Sequence, residues 1–427
     1  MNNTPEIKKT KQTEQERLLE IQAKLTPNSV VADIVTVIGL IVTIYFFSLL
    51  TIFYPDAAFS EQENRMLQQK PTLSTPMEGS LADKISEGKF LDRLVDGKFT
   101  GEISKYFQDQ FPLRNAYIGI KAVSETVLLK QEVNGVMIGK DGNIIMRSDY
   151  PDAAGLDKNI FAYDIFAAEM DARGIPVTFA VAGRSMDTLA SLTPALYTSE
   201  FSDKIWAHFD SEMGAVSRSY LNLLPMMREK AEAGEYVQYK TDHHWTTLGA
   251  YYAYVEIAKS MNIEPYGIDC FTRETASDEF YGTAWSTAGM KWIKPDTIEF
   301  FRYADDVNFT LEILDTDTVM QGFYDESYLD KKDKYSSFIS GNNAHVRITH
   351  NESDRPMLLL IKDSYAHSVA PFLAAHFDLE IIDLRYYKQP TLNLIEKSGI
   401  DSVLLLFNMD NLSSAQPVLN LLRSGIK

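Results

Sequence analysis

Met357-Leu358-Leu359-Leu360-Ile361-Lys362-Asp363-Ser364 is an apolar run that ends abruptly in two charges and a serine. A strand with no polar alternation needs cover on both faces, which is the situation inside a parallel sheet. The chain beyond it repeats the pattern: a helix from Ser364, a strand from Glu380 to Asp383, a helix near Leu392 to Lys397 and a strand from Ser402 to Phe407. Upstream, Leu156 to Arg173 has the spacing of an amphipathic helix stopped by Gly174, and Pro176 to Val181 reads as a buried strand. Alternating strands and helices predict an α/β fold, a mostly parallel sheet flanked by helices.

Other segments decorate this frame. Lys98 to Leu129 has helical spacing, and Asn134-Gly135 and Asp141-Gly142 bracket Val136-Met137-Ile138, which predicts a small β-hairpin. Residues from about 296 to 353 are rich in Asp and Tyr and poor in helical periodicity, and read as a β-rich insertion or lid. Its charges Asp325, Glu326, Asp330, Lys331, Lys332 and Lys334 match no calcium-loop spacing and read as a solvated surface.

Ile34 to Tyr54 contains no charged residue and is long enough for one membrane-spanning helix. The alternatives are a signal peptide cleaved near Ala57-Ala58, which the polar tail ahead of the run disfavours, and a buried helix of a soluble protein. Flanking charge is balanced, with Arg17 and Lys24 before the span and Arg65 and Lys70 after it, and Lys8, Lys9 and Lys11 tip the count toward a cytoplasmic N-terminus. The expected organisation is a cytoplasmic tail (1–33), a transmembrane anchor (34–54), a linker (55–80) and an extracytoplasmic catalytic domain (81–427).

A chain of 427 residues with 41 basic and 59 acidic side chains carries a net charge of −18, which argues against nucleic-acid binding and strongly anionic polymer substrates. One cysteine, Cys270, offers neither an internal disulfide nor a thiolate metal cluster. No cofactor is expected.

Two short segments carry chemistry. Thr241-Asp242-His243-His244-Trp245 follows the apolar stretch Tyr236 to Tyr239 and precedes a helix. In an extended backbone alternate residues share a side, so Asp242 and His244 converge while His243 points away. A carboxylate beside an imidazole fixes its tautomer, as a general base serving a hydroxyl requires. Two other readings stay open: Asp242 or Thr241 as a helix cap, and a metal site, for which the remaining histidines supply no completing spacing. The second segment is the opening run itself, which sets Ser364 where a strand turns into a helix, at the edge of the sheet where α/β proteins build their sites. Asp-Ser before a helix is also an ordinary N-cap.

Together these segments resemble the DHHW family, spelled out by Asp242-His243-His244-Trp245, which is similar to the AlgX/AlgJ alginate O-acetylation proteins and to SGNH-hydrolase-like folds. Further motifs carry the resemblance: Ser60-Glu61-Gln62-Glu63-Asn64-Arg65, Asp109-Gln110-Phe111-Pro112 with Arg114, Phe280-Tyr281-Gly282-Thr283, Lys362-Asp363-Ser364-Tyr365 and Asp383-Leu384-Arg385-Tyr386-Tyr387. The resemblance implies a catalytic triad of Asp242, His244 and Ser364, and acetyl transfer to a cell-surface or exported polysaccharide. It also implies an acetyl donor delivered by a polytopic membrane acyltransferase. The usual SGNH order is serine first and Asp-x-x-His last; here it is Asp-x-His first, as in the alginate-type proteins. Backbone N–H groups of Ser364 and Tyr365 are expected to meet an oxyanion, with Asn408 a further candidate. Arg385 is read either as orienting substrate or as a structural ion pair, and Trp245 with nearby tyrosines as a sugar-stacking wall. An esterase with the same residues and a non-catalytic glycan-binding scaffold are the alternatives.

Overall fold

The computed structural model describes residues 14–25, 29–60, 63, 65–71, 95–148, 153–195, 197, 199–351, 355–414 and 417–424. They divide into two compact units, Met1–Ala58 with Met66–Arg114, and Phe59–Arg65 with Asn115–Lys427. The first 13 residues, residues 72–94 and Glu61, Gln62 and Asn64 lie outside the described residues.

In the first unit the apolar run becomes the helix Ser29–Phe53, which begins about a turn before the expected span. Its portion Val30–Phe53 has a mean hydropathy of 2.4 and none of it is buried, so it is long and apolar enough to cross a membrane. The motif around Asp109 fastens the chain that leaves this helix. Gln110 accepts from the Ala57 N–H at 2.9 Å and donates to the carbonyls of Ala57 and Gln68, while Asp109 accepts from the Gln68 N–H at 2.8 Å.

The second unit is built on an eight-stranded sheet. In chain order its strands are β1 (Val177–Ala182), β2 (Leu221–Asn222), β3 (Phe309–Ile313), β4 (Thr318–Gln321), β5 (His345–His350), β6 (Met357–Lys362), β7 (Asp378–Ile382) and β8 (Ser402–Asn408). The spatial order is β4-β3-β5-β7-β6-β8-β1-β2. From β7 to β2 every pairing is parallel, with Leu360 opposite Ile381 on one side and Leu404 on the other. The period of two then sorts the apolar run: Leu358 and Leu360 enter one core, Leu359 and Ile361 the other. Both faces are therefore buried, each such side chain contributing on the order of 2 kcal/mol. The mostly parallel sheet flanked by helices is as the sequence implied.

Three expectations need correction. The hairpin is a three-stranded meander, Glu132–Val133, Val136–Ile138 and Ile144–Met146, whose turns use left-handed backbone at Asn134, Gly135, Asp141 and Gly142. Residues 296–351 are β-rich as expected, but their strands are built into sheets and do not form a lid. Asp296–Tyr303 pairs with Phe271–Phe280, and β3, β4 and β5 extend the central sheet antiparallel through β5 against β7. Their backbone groups are satisfied by the sheet, which a separate flap would have had to provide for itself. Nor is the charge cluster wholly a solvated surface: Lys332 turns inward and donates to the Tyr281 carbonyl at 2.6 Å.

Candidate active site

Ser364 stands immediately beyond β6, on the first residue of the 3₁₀ turn Ser364–Ser368. The turn is shaped by Asp363, fully buried, whose carboxylate accepts from the N–H groups of Tyr365 (2.9 Å) and Asn408 (2.7 Å) and from the Asn411 amide (2.8 Å). Burial raises the Asp363 carboxyl above its ordinary range, and these donors work against it. Asp363 thus joins the ends of β6 and β8 and holds the serine at the carboxyl edge of the parallel strands.

His244 reaches this edge from a different part of the chain. Its Nε2 lies 2.8 Å from Ser364 Oγ and its Nδ1 2.6 Å from Asp242 Oδ1. Asp242 is only 4% and His244 only 6% exposed. The other oxygen of Asp242 accepts from the Thr283 N–H (2.7 Å) and hydroxyl (2.9 Å). Thr241 below it is held by Asp296, which accepts from the Thr241 N–H at 2.7 Å. The three residues singled out from sequence are therefore in one hydrogen-bonded line.

The route to this geometry differs from the one expected. Residues 241–244 form a bend rather than a strand, and residues 236–239 form no named strand, only a bridge from Gln238 to Trp245. Asp242 and His244 converge because the His244 N–H donates to Asp242 Oδ1 at 2.9 Å, closing a short side-chain turn that brings the ring round to the same oxygen. The helix-cap reading also resolves: Thr246 is the cap of Thr247–Ser260, accepting from the Gly249 N–H. Asp242, His243 and His244 do lie close enough to share an ion. However, the two nitrogens of His244 face Asp242 and Ser364 on opposite edges, the arrangement of a proton relay.

Charge follows the geometry. Burial, then the neighbouring His243, pushes the His244 imidazole down to about 4, with Asp242 opposing. Burial would raise Asp242, but the two histidines and the Thr283 N–H outweigh it and hold the carboxyl well below its ordinary value. At neutral pH the pair is therefore carboxylate and neutral imidazole, the state in which Nε2 accepts a proton.

Four further residues expected near the site have other tasks. The Tyr365 N–H is taken by Asp363, which leaves the Ser364 N–H as the backbone donor without a partner among the described residues. Asn408 donates to the Gly183 carbonyl at 2.8 Å and is 3% exposed, so its side chain fastens β8 to β1. Trp245 is buried, its indole N–H 3.0 Å from both the Tyr365 carbonyl and Ser368 Oγ, and cannot form a sugar-stacking wall. Arg385 makes a two-pronged pair with buried Asp383 (2.9 and 2.6 Å), and Asp383 is also 3.3 Å from Lys362.

Tyr335 is the residue the sequence reading missed. Its ring stacks on His244, and its hydroxyl lies 3.0 Å from Ser368 Oγ and 3.3 Å from the Ser364 carbonyl. It comes from the segment read as an insertion, and no motif or spacing marks it. Gly282 was quoted within a motif but given no role: a Cβ there would overlap the Asp242 carboxylate.

The family model described as DHHW protein matches residues 190–382, so the resemblance drawn from the motifs is borne out. Among solved structures, a DHHW family protein from Eubacterium siraeum DSM 15702 is 21% identical, with a TM-score of 0.56 over 68% of this chain and 95% of that one. PatB1 of Bacillus cereus is 18% identical, with a TM-score of 0.53 over 66% of this chain and 98% of that one. At these identities the likeness establishes the shared fold. Comparison with curated proteins gives no match.

Proposed function

We propose that the chain is a membrane-anchored, extracytoplasmic O-acetyltransferase that acts on a cell-surface or exported polysaccharide through an acyl-serine intermediate. The observation that carries this reading is the continuous contact from Asp242 through His244 to Ser364 Oγ. Membrane attachment rests on the Ser29–Phe53 helix, and the outward orientation on the lysines of the N-terminal tail. The acetyl group, the polysaccharide acceptor and a polytopic membrane acyltransferase as donor partner come with the DHHW resemblance.

In the first half-reaction His244 Nε2 takes the Ser364 proton as Oγ attacks the donor's carbonyl carbon. Asp242 steadies the imidazolium through Nδ1. The Ser364 N–H meets the oxyanion, a donor of this kind typically adding about 10²- to 10³-fold to the rate. His244 then returns the proton to the leaving oxygen, and an acetyl-Ser364 ester remains. In the second half-reaction His244 deprotonates a sugar hydroxyl that attacks the ester, and the proton passes to Ser364 Oγ as it departs. If water attacks instead, the same residues give an esterase.

The test is to incubate the full chain in detergent with 4-nitrophenyl acetate and neutral oligosaccharides and to look for acetylated sugar by mass spectrometry. Acetylated sugar that disappears with Ser364→Ala supports transfer. Acetate alone makes the protein an esterase, and neither product removes the enzymatic reading. A sulfonyl adduct is present in one B. cereus PatB1 structure. Sulfonyl fluorides trap activated hydroxyls, so this class of reagent is a probe for Ser364 here.

A further inference from the structure

Beside the triad, at the carboxyl edge of β1 and β8, lies a cavity of about 150 Å³ that the relay does not use. Its wall includes His243 and Tyr365, the sequence neighbours of the triad residues, and the segment Arg184-Ser185 that follows β1. Asp410 and Asn411, which follow β8, close the other side. Such a crevice between strand ends is where α/β folds bind ligands.

The wall is polar and held in place. Arg184 is 3% exposed and fixed to Asp187 by two hydrogen bonds of 2.9 Å. Ser185 is 4% exposed, and its hydroxyl has no partner among the described residues although it lines the cavity. Asp410 accepts from the Ser148 hydroxyl at 2.7 Å, and Asn411 is oriented by its bond to Asp363. A wall hydroxyl that no protein group engages is open to a ligand that can both donate and accept.

The chemistry of this wall selects its ligand. The guanidinium charge is matched by Asp187 and Asp410 adds a carboxylate, so an anionic group gains nothing there. An acyl chain would bury these polar groups unpaired. A sugar hydroxyl both donates and accepts, and can serve the Asp410 carboxylate and the Ser185 hydroxyl at once. The volume is below that of a pocket for a drug-sized ligand and suits a single ring.

We propose that the cavity lined by Arg184, Ser185, His243, Asp410 and Asn411 is the acceptor subsite for one uncharged sugar ring. This deepens the acetyltransferase reading and rests on it for the meaning of the bound sugar, but the binding itself is testable without turnover. The experiment uses the full chain carrying Ser364→Ala in detergent, with binding of neutral trisaccharides (cellotriose, mannotriose, chitotriose) and of trigalacturonate followed by saturation-transfer NMR and calorimetry. At least one neutral trisaccharide is expected to bind and trigalacturonate is not. Adding Ser185→Val or, separately, Asp410→Asn should weaken that binding about tenfold, the scale of one hydrogen bond involving a charged group. Asp410→Asn preserves side-chain volume, so it reads the subsite even if Ser185→Val misfolds. No neutral binding, a preference for trigalacturonate, or binding indifferent to Asp410→Asn would overturn the proposal. Acetylation of Ser364 by 4-nitrophenyl acetate in the unmutated chain reports on the triad separately, so loss of one reading is distinguishable from loss of the other.

Discussion

The phenol ring of Tyr335 lies flat against the imidazole of His244, with centroids 4.0 Å apart and planes 11° from parallel. Its hydroxyl sits by Ser368 and the Ser364 carbonyl, so one side chain touches both the base and the backbone of the proposed nucleophile. Tyr335 is a positioning residue in this arrangement. Tyr335→Phe keeps the stack and should lower kcat for 4-nitrophenyl acetate by no more than about threefold, while Tyr335→Leu loses it and should lower kcat about 10²-fold with KM little changed. Equal losses in the two variants, or a change confined to KM, would remove the role of the stacked ring.

The pH profile tests the buried imidazole. Because His244 is held down to about 4, it stays neutral and able to accept a proton well below the ordinary histidine value. The acid limb of kcat/KM should fall near pH 4 and belong to the Asp242–His244 pair as a unit. The same depression links to stability. Between the unfolded value near 6.5 and the folded value near 4, only the unfolded chain takes up the proton, so stability is lost as pH falls through that window. An acid limb near 6.5 would contradict the burial argument.

Gly282 tests how closely Asp242 must be held. The Thr283 N–H and hydroxyl both reach Asp242, and an added Cβ at position 282 would overlap that carboxylate. Gly282→Ala should therefore lower kcat by about 10²-fold, since a displaced carboxylate leaves the imidazole in the wrong place. Thr283→Val removes only one hydrogen bond and should lose about 1 kcal/mol of stability with a smaller rate effect. Steady-state kinetics beside urea denaturation separates the two.

Arg385 is expected to matter for stability rather than for substrate. Asp383 is fully buried between Arg385 and Lys362, and Arg385→Ala leaves it with one cation in place of two. A loss of about 1–3 kcal/mol in urea unfolding is expected, with KM for the sugar acceptor unchanged. A raised acceptor KM without loss of stability would return Arg385 to the substrate site.

The parts of the molecule that could be read from sequence are those set by local pattern. The run Met357–Ile361 announced a strand buried on both faces because it has no polar alternation, and Asn134-Gly135 and Asp141-Gly142 announced turns because they tolerate left-handed backbone. Asp242, His244 and Ser364 were found through residue chemistry, although the side-chain turn that joins Asp242 to His244 was not. Tyr335 and the wall of the small cavity could not be found this way. They meet Asp242, His244 and Ser364 only because β1, β8 and the segment after β4 come together in the folded sheet, and a tyrosine or serine carries no spacing that reports such a contact.

Activation of Ser364 by His244 is most directly measured by the rate at which phenylmethanesulfonyl fluoride modifies the full chain, with the site identified by peptide mass spectrometry. A triad gives a single label on Ser364, and His244→Ala slows its formation by about 10³-fold or more. A label that forms equally fast without His244, or one that falls on another residue, would contradict the triad.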